Sequence, residues 1–172
     1  MLAAMRPNDS RYASVPLPAS APAVDATVRA VAMSWPVINP LSRYNHAKRL
    51  VAAGDPPAWA VGMDKKHETY WHTEAEMAEG NPMLILERGE KVALPPAIWA
   101  QGRGDILHDY KDEDSKSPET EAPRFVANYR KAGGNIELYY FDSDRQPGHS
   151  PDLTKIGDTF AHMLAFIGRH MK

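Results

Sequence analysis

Two side chains suited to acid–base chemistry follow apolar runs that the sequence marks as strands. Asp105 comes just after residues 94–104, a run that two prolines open and glycines close, and His149 stands in the polar loop after residues 136–141. In open parallel sheets, groups beyond the carboxyl ends of the strands gather in one crevice. A carboxylate beside an imidazole fixes its tautomer and stabilises the ring when it takes a proton as a general base. Asp105 and His149 are therefore the candidate catalytic pair.

Other acids compete with Asp105 for this role. Asp109, Asp112 and Asp144 are alternatives, although each lies farther into a loop than Asp105 does. The run 109–118 is so rich in charge that we expect it to remain in water as a loop. His108 is expected to be an ordinary surface histidine, so it is not included in the candidate pair.

The chain pattern predicts an α/β fold with a parallel sheet flanked by helices. Apolar runs indicate strands at 28–35, within 94–104 and at 136–141, and helical periodicity marks 119–132 and 153–170. A strand, a helix and a strand in this order predict a right-handed crossover and a parallel pair. We expect one domain, residues 1–172. The helix at 119–132 is predicted to end at Gly133 and Gly134 and to place four residues on one face: Ala122, Phe125, Val126 and Tyr129. The last helix is predicted to pack on the sheet through Ile156, Phe160, Met163, Leu164 and Ile167.

Residues 41–90 are the least regular part of the chain and carry several aromatic side chains. Thr73 followed by Glu76 predicts a capping box at the start of a short helix. Trp59, Tyr70 and Trp71 offer apolar surface that would suit a substrate pocket. The alternative, that these rings only pack the region's own interior, stays open.

The order of these features resembles the carboxyl-terminal half of an α/β-hydrolase of the esterase/lipase type, over residues 1–172. The resemblance implies a serine hydrolase of carboxylic esters, with Asp105 and His149 as the last two members of a Ser–Asp–His triad. It also implies a cap insertion at 41–90, a small-molecule ester as substrate, and neither cofactor nor metal.

The residues that would complete such a hydrolase are not in this sequence. It contains no Gly-x-Ser-x-Gly and no His-Gly-Gly-Gly run, so the resemblance implies that this chain alone is inactive and that the nucleophile lies upstream. The alternative is a non-catalytic, hydrolase-derived module that binds a small molecule or a partner chain.

Composition narrows the range of partners. The formal net charge of -2 supplies no broad basic surface, which argues against nucleic acid as a ligand. The chain has no cysteine and no apolar run of membrane-spanning length, which is compatible with a cytoplasmic protein. The resemblance makes the strand at 28–35 an interior strand of the complete hydrolase sheet. In this half alone it becomes an edge strand, whose unpaired backbone groups predict homodimerisation or aggregation.

Overall fold

A computed structural model describes residues 1–12, 18–20, 27–142 and 153–171. The three strands and the last two helices follow the order that the sequence predicts, and there is a short 3₁₀ turn at Ser10–Tyr12. The helices are Leu2–Met5 (α1), Pro40–Ala52 (α2), Met63–Trp71 (α3), Glu74–Glu79 (α4), Pro82–Glu87 (α5), Glu121–Lys131 (α6) and Leu153–His170 (α7), and the strands are Val31–Ser34 (β1), Ala97–Gly102 (β2) and Ile136–Phe141 (β3).

The three strands form one parallel sheet, as predicted, and their order in the sheet is β1-β2-β3. Ala97 pairs with Val31 on one side and with Ile136 on the other. The first strand is shorter than predicted, because it begins only at Val31 and ends at Ser34. It ends there because Trp35 adopts a φ of +45° and the backbone leaves the extended conformation. β1 lies at an edge of this sheet, and association of two copies through that edge stays a prediction.

β2 is buried along its whole length because helices cover both faces of the sheet. Ala97 and Trp99 belong to the core cluster that α5 and α6 share, whereas Ile98 and Ala100 pack with α7. This alternation is the period of two that a strand imposes on its side chains. The predicted face of α6 is confirmed, and it is built from Ala122, Phe125, Val126 and Tyr129.

The predicted face of α7 is partly wrong. Met163 and Phe166 are buried against the sheet, but Phe160 is 51% exposed and Leu164 67% exposed. A helix touches a sheet along one narrow stripe, and a sheet of three strands leaves the flank of that stripe in solvent. In the described ranges, no helix is long and apolar enough to span a membrane.

Helices α2 to α5 occupy the region interpreted as a cap. The capping box at Thr73 and Glu76 is confirmed, with both reciprocal hydrogen bonds present. Asn39 caps α2 and Asn81 caps α5, and the two asparagine side chains are themselves joined by a hydrogen bond of 2.7 Å. Met83, Ile85 and Leu86 of α5 belong to the main core. The division into a domain and a cap stays a prediction.

Candidate functional site

Asp105 lies beyond the carboxyl end of β2, where the chain turns at Gly104 with a φ of +72°. Oδ2 of Asp105 is 2.8 Å from Nδ1 of His108, and Oδ1 accepts a hydrogen bond of 2.9 Å from the backbone N–H of Leu107. Burial pushes the pKa of Asp105 upward, but these hydrogen bonds outweigh it and hold the pKa below its ordinary value. The result is an ionised acid paired with an imidazole.

His108 is therefore not the surface residue that the sequence predicts. Its side chain is 12% exposed and that of Asp105 is 7% exposed, because the loop after β2 folds back on itself as a local turn. A histidine three residues after an acid is a common arrangement in loops, and only the turn shows that the two side chains meet. His149, the predicted partner of Asp105, lies outside the described residues, so that pairing stays a prediction.

A chain of side-chain hydrogen bonds connects Asp105 to the core of the sheet. Nε1 of Trp99 donates to Oε1 of Gln101 at 3.0 Å, and Nε2 of Gln101 donates to Oδ2 of Asp105 at 3.3 Å. Both Trp99 and Gln101 are fully buried. The carboxylate of Asp105 is thus held by β2 on one side and by His108 on the other, which fixes its position.

Two of the rival acids have structural partners. Asp109 accepts hydrogen bonds from the backbone N–H of Ala122 at 3.0 Å and from the hydroxyl of Tyr140 at 2.8 Å, so it joins the start of α6 to β3. Asp112, expected to lie in water, is instead 5% exposed because it pairs with the buried Arg124. Asp144 lies outside the described residues.

Arg124 is the centre of a buried ionic cluster. Its guanidinium is 2.7 Å from the carboxylates of Glu87 and Asp112 and 3.4 Å from that of Glu121. Its side chain is only 4% exposed, and together these carboxylates raise its pKa although burial acts in the opposite direction. The cluster ties α5 and the loop before α6 to α6 itself.

Glu121 is the member of this cluster whose charge is least well compensated. Oε1 accepts a hydrogen bond of 3.2 Å from Nδ2 of Asn39, whereas Oε2 is buried and has no hydrogen-bond partner in the described part of the chain. Burial raises the pKa of Glu121 to about 7, helped by Asp112 and opposed by Arg124. Glu121 is therefore largely protonated in slightly acidic solution.

Replacing Glu121 with glutamine should flatten the dependence of stability on pH. Because the folded protein raises this pKa from 4.5 to about 7, the folded state retains the proton and the free energy of unfolding falls as pH rises through that interval. Between pH 5 and pH 8, we expect the free energy of unfolding to fall by on the order of 1–3 kcal/mol more in the wild type than in E121Q. Urea unfolding at both pH values measures the difference, with the exposed Glu119→Gln as a charge-matched control. Identical pH profiles for the wild type and E121Q would contradict the assignment.

An aromatic depression lies between α2, residues 55–59 and the loop that follows β2. The ring of His46 stacks on Tyr110 with centroids 4.1 Å apart and an interplanar angle of 7°, and on Trp59 with centroids 5.8 Å apart. The depression has a volume of about 660 Å³. It is lined by His46, Leu50, Asp55, Pro56, Pro57, Trp59, Ile106, Tyr110 and Lys111.

Of the three predicted substrate-binding aromatics, only Trp59 lines this depression. Tyr70 and Trp71 pack against each other at 5.1 Å, with Tyr70 75% exposed, and neither contributes to the lining. His46 and Tyr110 were missed by the sequence analysis. The sequence offered only a weak signal for these two residues. An aromatic side chain in a helix and another in a charged loop do not by themselves indicate that the two rings are in contact.

Arg43, one helical turn before His46, is a further residue that the sequence analysis missed. Its Nε is buried and has no hydrogen-bond partner among the described residues, and burial lowers the pKa of its guanidinium. It lines a cavity of about 10 Å³ together with His108, Tyr110 and Glu121. A cavity of this size holds at most one water molecule, so Arg43 is a cation beside the candidate site with little solvent around Nε.

The fold and this site define an α/β protein whose polar and aromatic groups gather at the carboxyl edge of a parallel sheet. No family model matches the chain. No solved structure is significantly similar to it.

Curated relatives match about half of the chain. The chain is 32% identical over 82 residues to the β subunit of succinate–CoA ligase [ADP-forming] from Bordetella pertussis strain Tohama I, which covers 45% of this chain and 21% of the relative. The β subunits from Paraburkholderia phytofirmans and Burkholderia multivorans are 31% and 32% identical over 90 residues, covering 49% of this chain and 23% of each relative. The chain spans about a fifth of the length of the curated relatives it matches.

These relatives overturn the interpretation as an α/β-hydrolase. The predicted function as a carboxylic ester hydrolase is wrong, because the matched proteins are named as ligases. The predicted serine esterase or lipase activity and the alternative of a hydrolase-derived module are wrong for the same reason. The prediction of a small-molecule ester as substrate also conflicts with the names of these ligases. The physical reason for the error is that every parallel α/β sheet places polar residues after its strands, so an acid and a later histidine do not distinguish hydrolases. The features that would distinguish them, the nucleophile and the oxyanion hole, are not in this sequence.

Proposed function

We propose that this chain is a ligand-binding module of an ADP-forming CoA ligase, and that it binds an adenosine-containing compound of that reaction. The observation that carries the proposal is the identity of 31–32% to succinate–CoA ligase β subunits over about half of the chain. The complete ligase activity is not part of the proposal. A cytoplasmic location is included, because nucleotides and CoA are intracellular compounds.

The geometry supports a binding role at the carboxyl edge of β2. The Asp105–His108 pair and the aromatic depression both involve the loop that follows this strand, which is where open parallel sheets bind ligands. In this proposal Asp105 stays a candidate site residue, because it orients the ring of His108. ATP, ADP, CoA and succinate are all anions, and Lys111 in the lining of the depression carries an ammonium group that can pair with an anion.

Calorimetric titration of the purified chain with ADP, ATP, CoA and succinate tests this function. We expect saturable one-to-one binding of ADP or CoA, and a rise in Tm at saturating ligand because the ligand binds only the folded state. Sodium pyrophosphate at the same ionic strength is the control for nonspecific attraction of anions.

Two results would contradict the proposal. The first is the absence of binding by all adenosine-containing compounds at millimolar concentration. The second is hydrolysis of p-nitrophenyl butyrate by the purified chain that disappears in the His149→Ala variant, since only an esterase would show it.

A further inference from the structure

We propose that the aromatic depression binds the adenine ring that ADP, ATP and CoA share, with Trp59 as its stacking surface. The inference rests on the proposed function and specifies which part of the ligand is recognised and where. It assigns a binding role to Trp59, His46 and Tyr110, which do not belong to the Asp105–His108 pair.

The rings of the depression provide a surface that matches a planar base. His46 stacks on both Tyr110 and Trp59, so the three side chains form one aromatic cluster. Trp59 is half-buried and lines the depression. Burial lowers the pKa of His46, and nearby Arg49 lowers it further, so the imidazole stays neutral at neutral pH. A neutral aromatic surface favours a neutral heteroaromatic ring, because stacking requires no compensating charge.

The rest of the lining suits a nucleoside with phosphate groups. The volume of about 660 Å³ lies within the range of roughly 300–1,000 Å³ that small-molecule sites occupy. Leu50, Pro56 and Pro57 make most of the remaining wall apolar. Asp55 offers a carboxylate that can accept hydrogen bonds from ribose hydroxyls, and Lys111 offers an ammonium group to a phosphate.

The depression over the Arg124 cluster is a poorer candidate for the same ligand. It has a volume of about 450 Å³, and Glu87, Asp112 and Asp114 face it. Three carboxylates exceed the two cations of that lining, Lys116 and Arg124, and would repel phosphate groups. Charge therefore favours the aromatic depression as the adenosine site.

Substitution of Trp59 tests the inference directly. We expect Trp59→Ala to weaken binding of ADP and CoA about tenfold or more, because the stacking surface is lost. Trp59→Phe retains an aromatic ring and should retain most of the affinity. Phe160→Ala removes an exposed ring of α7, outside the depression, and should leave the affinity unchanged. Circular dichroism of each variant confirms that the fold is intact.

The outcomes separate this inference from the proposed function. If the wild type binds ADP or CoA and W59A binds equally well, the adenine site is elsewhere and only the inference fails. If ribose 5-phosphate binds as tightly as ADP, the base is not recognised and the inference fails in the same way. If no adenosine-containing compound binds to the wild type, the proposed function and the inference fail together.

Discussion

Replacing Arg124 with methionine is expected to destabilise the protein by about 3–5 kcal/mol. The guanidinium is the only cation in contact with the carboxylates of Glu87, Asp112 and Glu121 within the described part of the chain. Its loss leaves Asp112, which is 5% exposed, as a buried carboxylate without a counter-charge. Methionine is similar in length, so the measured change reports the lost charge rather than a large cavity.

Urea unfolding at pH 7 measures this change, and Arg169→Ala is the matched control. Arg169 is 51% exposed and pairs with Glu137 at 2.7 Å, an arrangement whose contribution to stability is about 0–1 kcal/mol. The double variant D112N/R124M should recover part of the lost stability, because the neutral amide that replaces the carboxylate of Asp112 requires no counter-charge. Equal effects of R124M and R169A would show that the cluster is not desolvated as the structure indicates.

Replacing Trp99 with alanine should destabilise the protein by about 3–5 kcal/mol. The indole is completely buried between β2 and α6, with its ring centroid 5.6 Å from that of Phe125. Alanine leaves a large cavity in the main core and removes the donor to Oε1 of Gln101. We therefore expect the largest single-residue effect of any apolar position in β2.

Trp99→Phe separates the two contributions of the indole. Phenylalanine fills much of the volume but cannot donate to Gln101, and a buried acceptor without a donor costs about 1–3 kcal/mol. Both variants are compared by urea unfolding, with Phe160→Ala as an exposed aromatic control that should change stability by less than about 1 kcal/mol. A W99F protein as stable as the wild type would mean that the link from Trp99 to Gln101 contributes nothing.

Several elements were determined by the sequence because their signals are local. The capping box at Thr73 and Glu76 specifies the start of α4 through hydrogen bonds three residues apart. The span Ile136–Phe141 was predicted with its observed bounds, and Gly133 and Gly134 after α6 provide the expected stop. The order of strand, helix and strand also sufficed for the parallel arrangement, since a right-handed crossover is nearly universal.

The wrong assignment to a hydrolase shows that local sequence patterns do not predict the chemistry of a site. An acid after one strand and a histidine after the next describe a position in the sheet, and any parallel α/β protein offers that position to different chemistries. Asp105 was singled out for its place beyond the carboxyl end of β2, where it indeed lies. Its described partner is nevertheless His108, because the turn at Gly104 brings that ring within 2.8 Å.

The ionic cluster around Arg124 and the aromatic depression could be recognised only in the tertiary structure. Arg124 is buried with Glu87, which lies 37 residues away in the chain, and with Asp112 from a run whose composition predicts exposure to water. His46 of α2 meets Tyr110 of the loop after β2, although the two residues are far apart in the chain. Desolvation and ring stacking depend on which distant segments pack together. The sequence by itself therefore determined the three strands, the last two helices and their order, whereas packing decided which charges are buried and which rings line the depression.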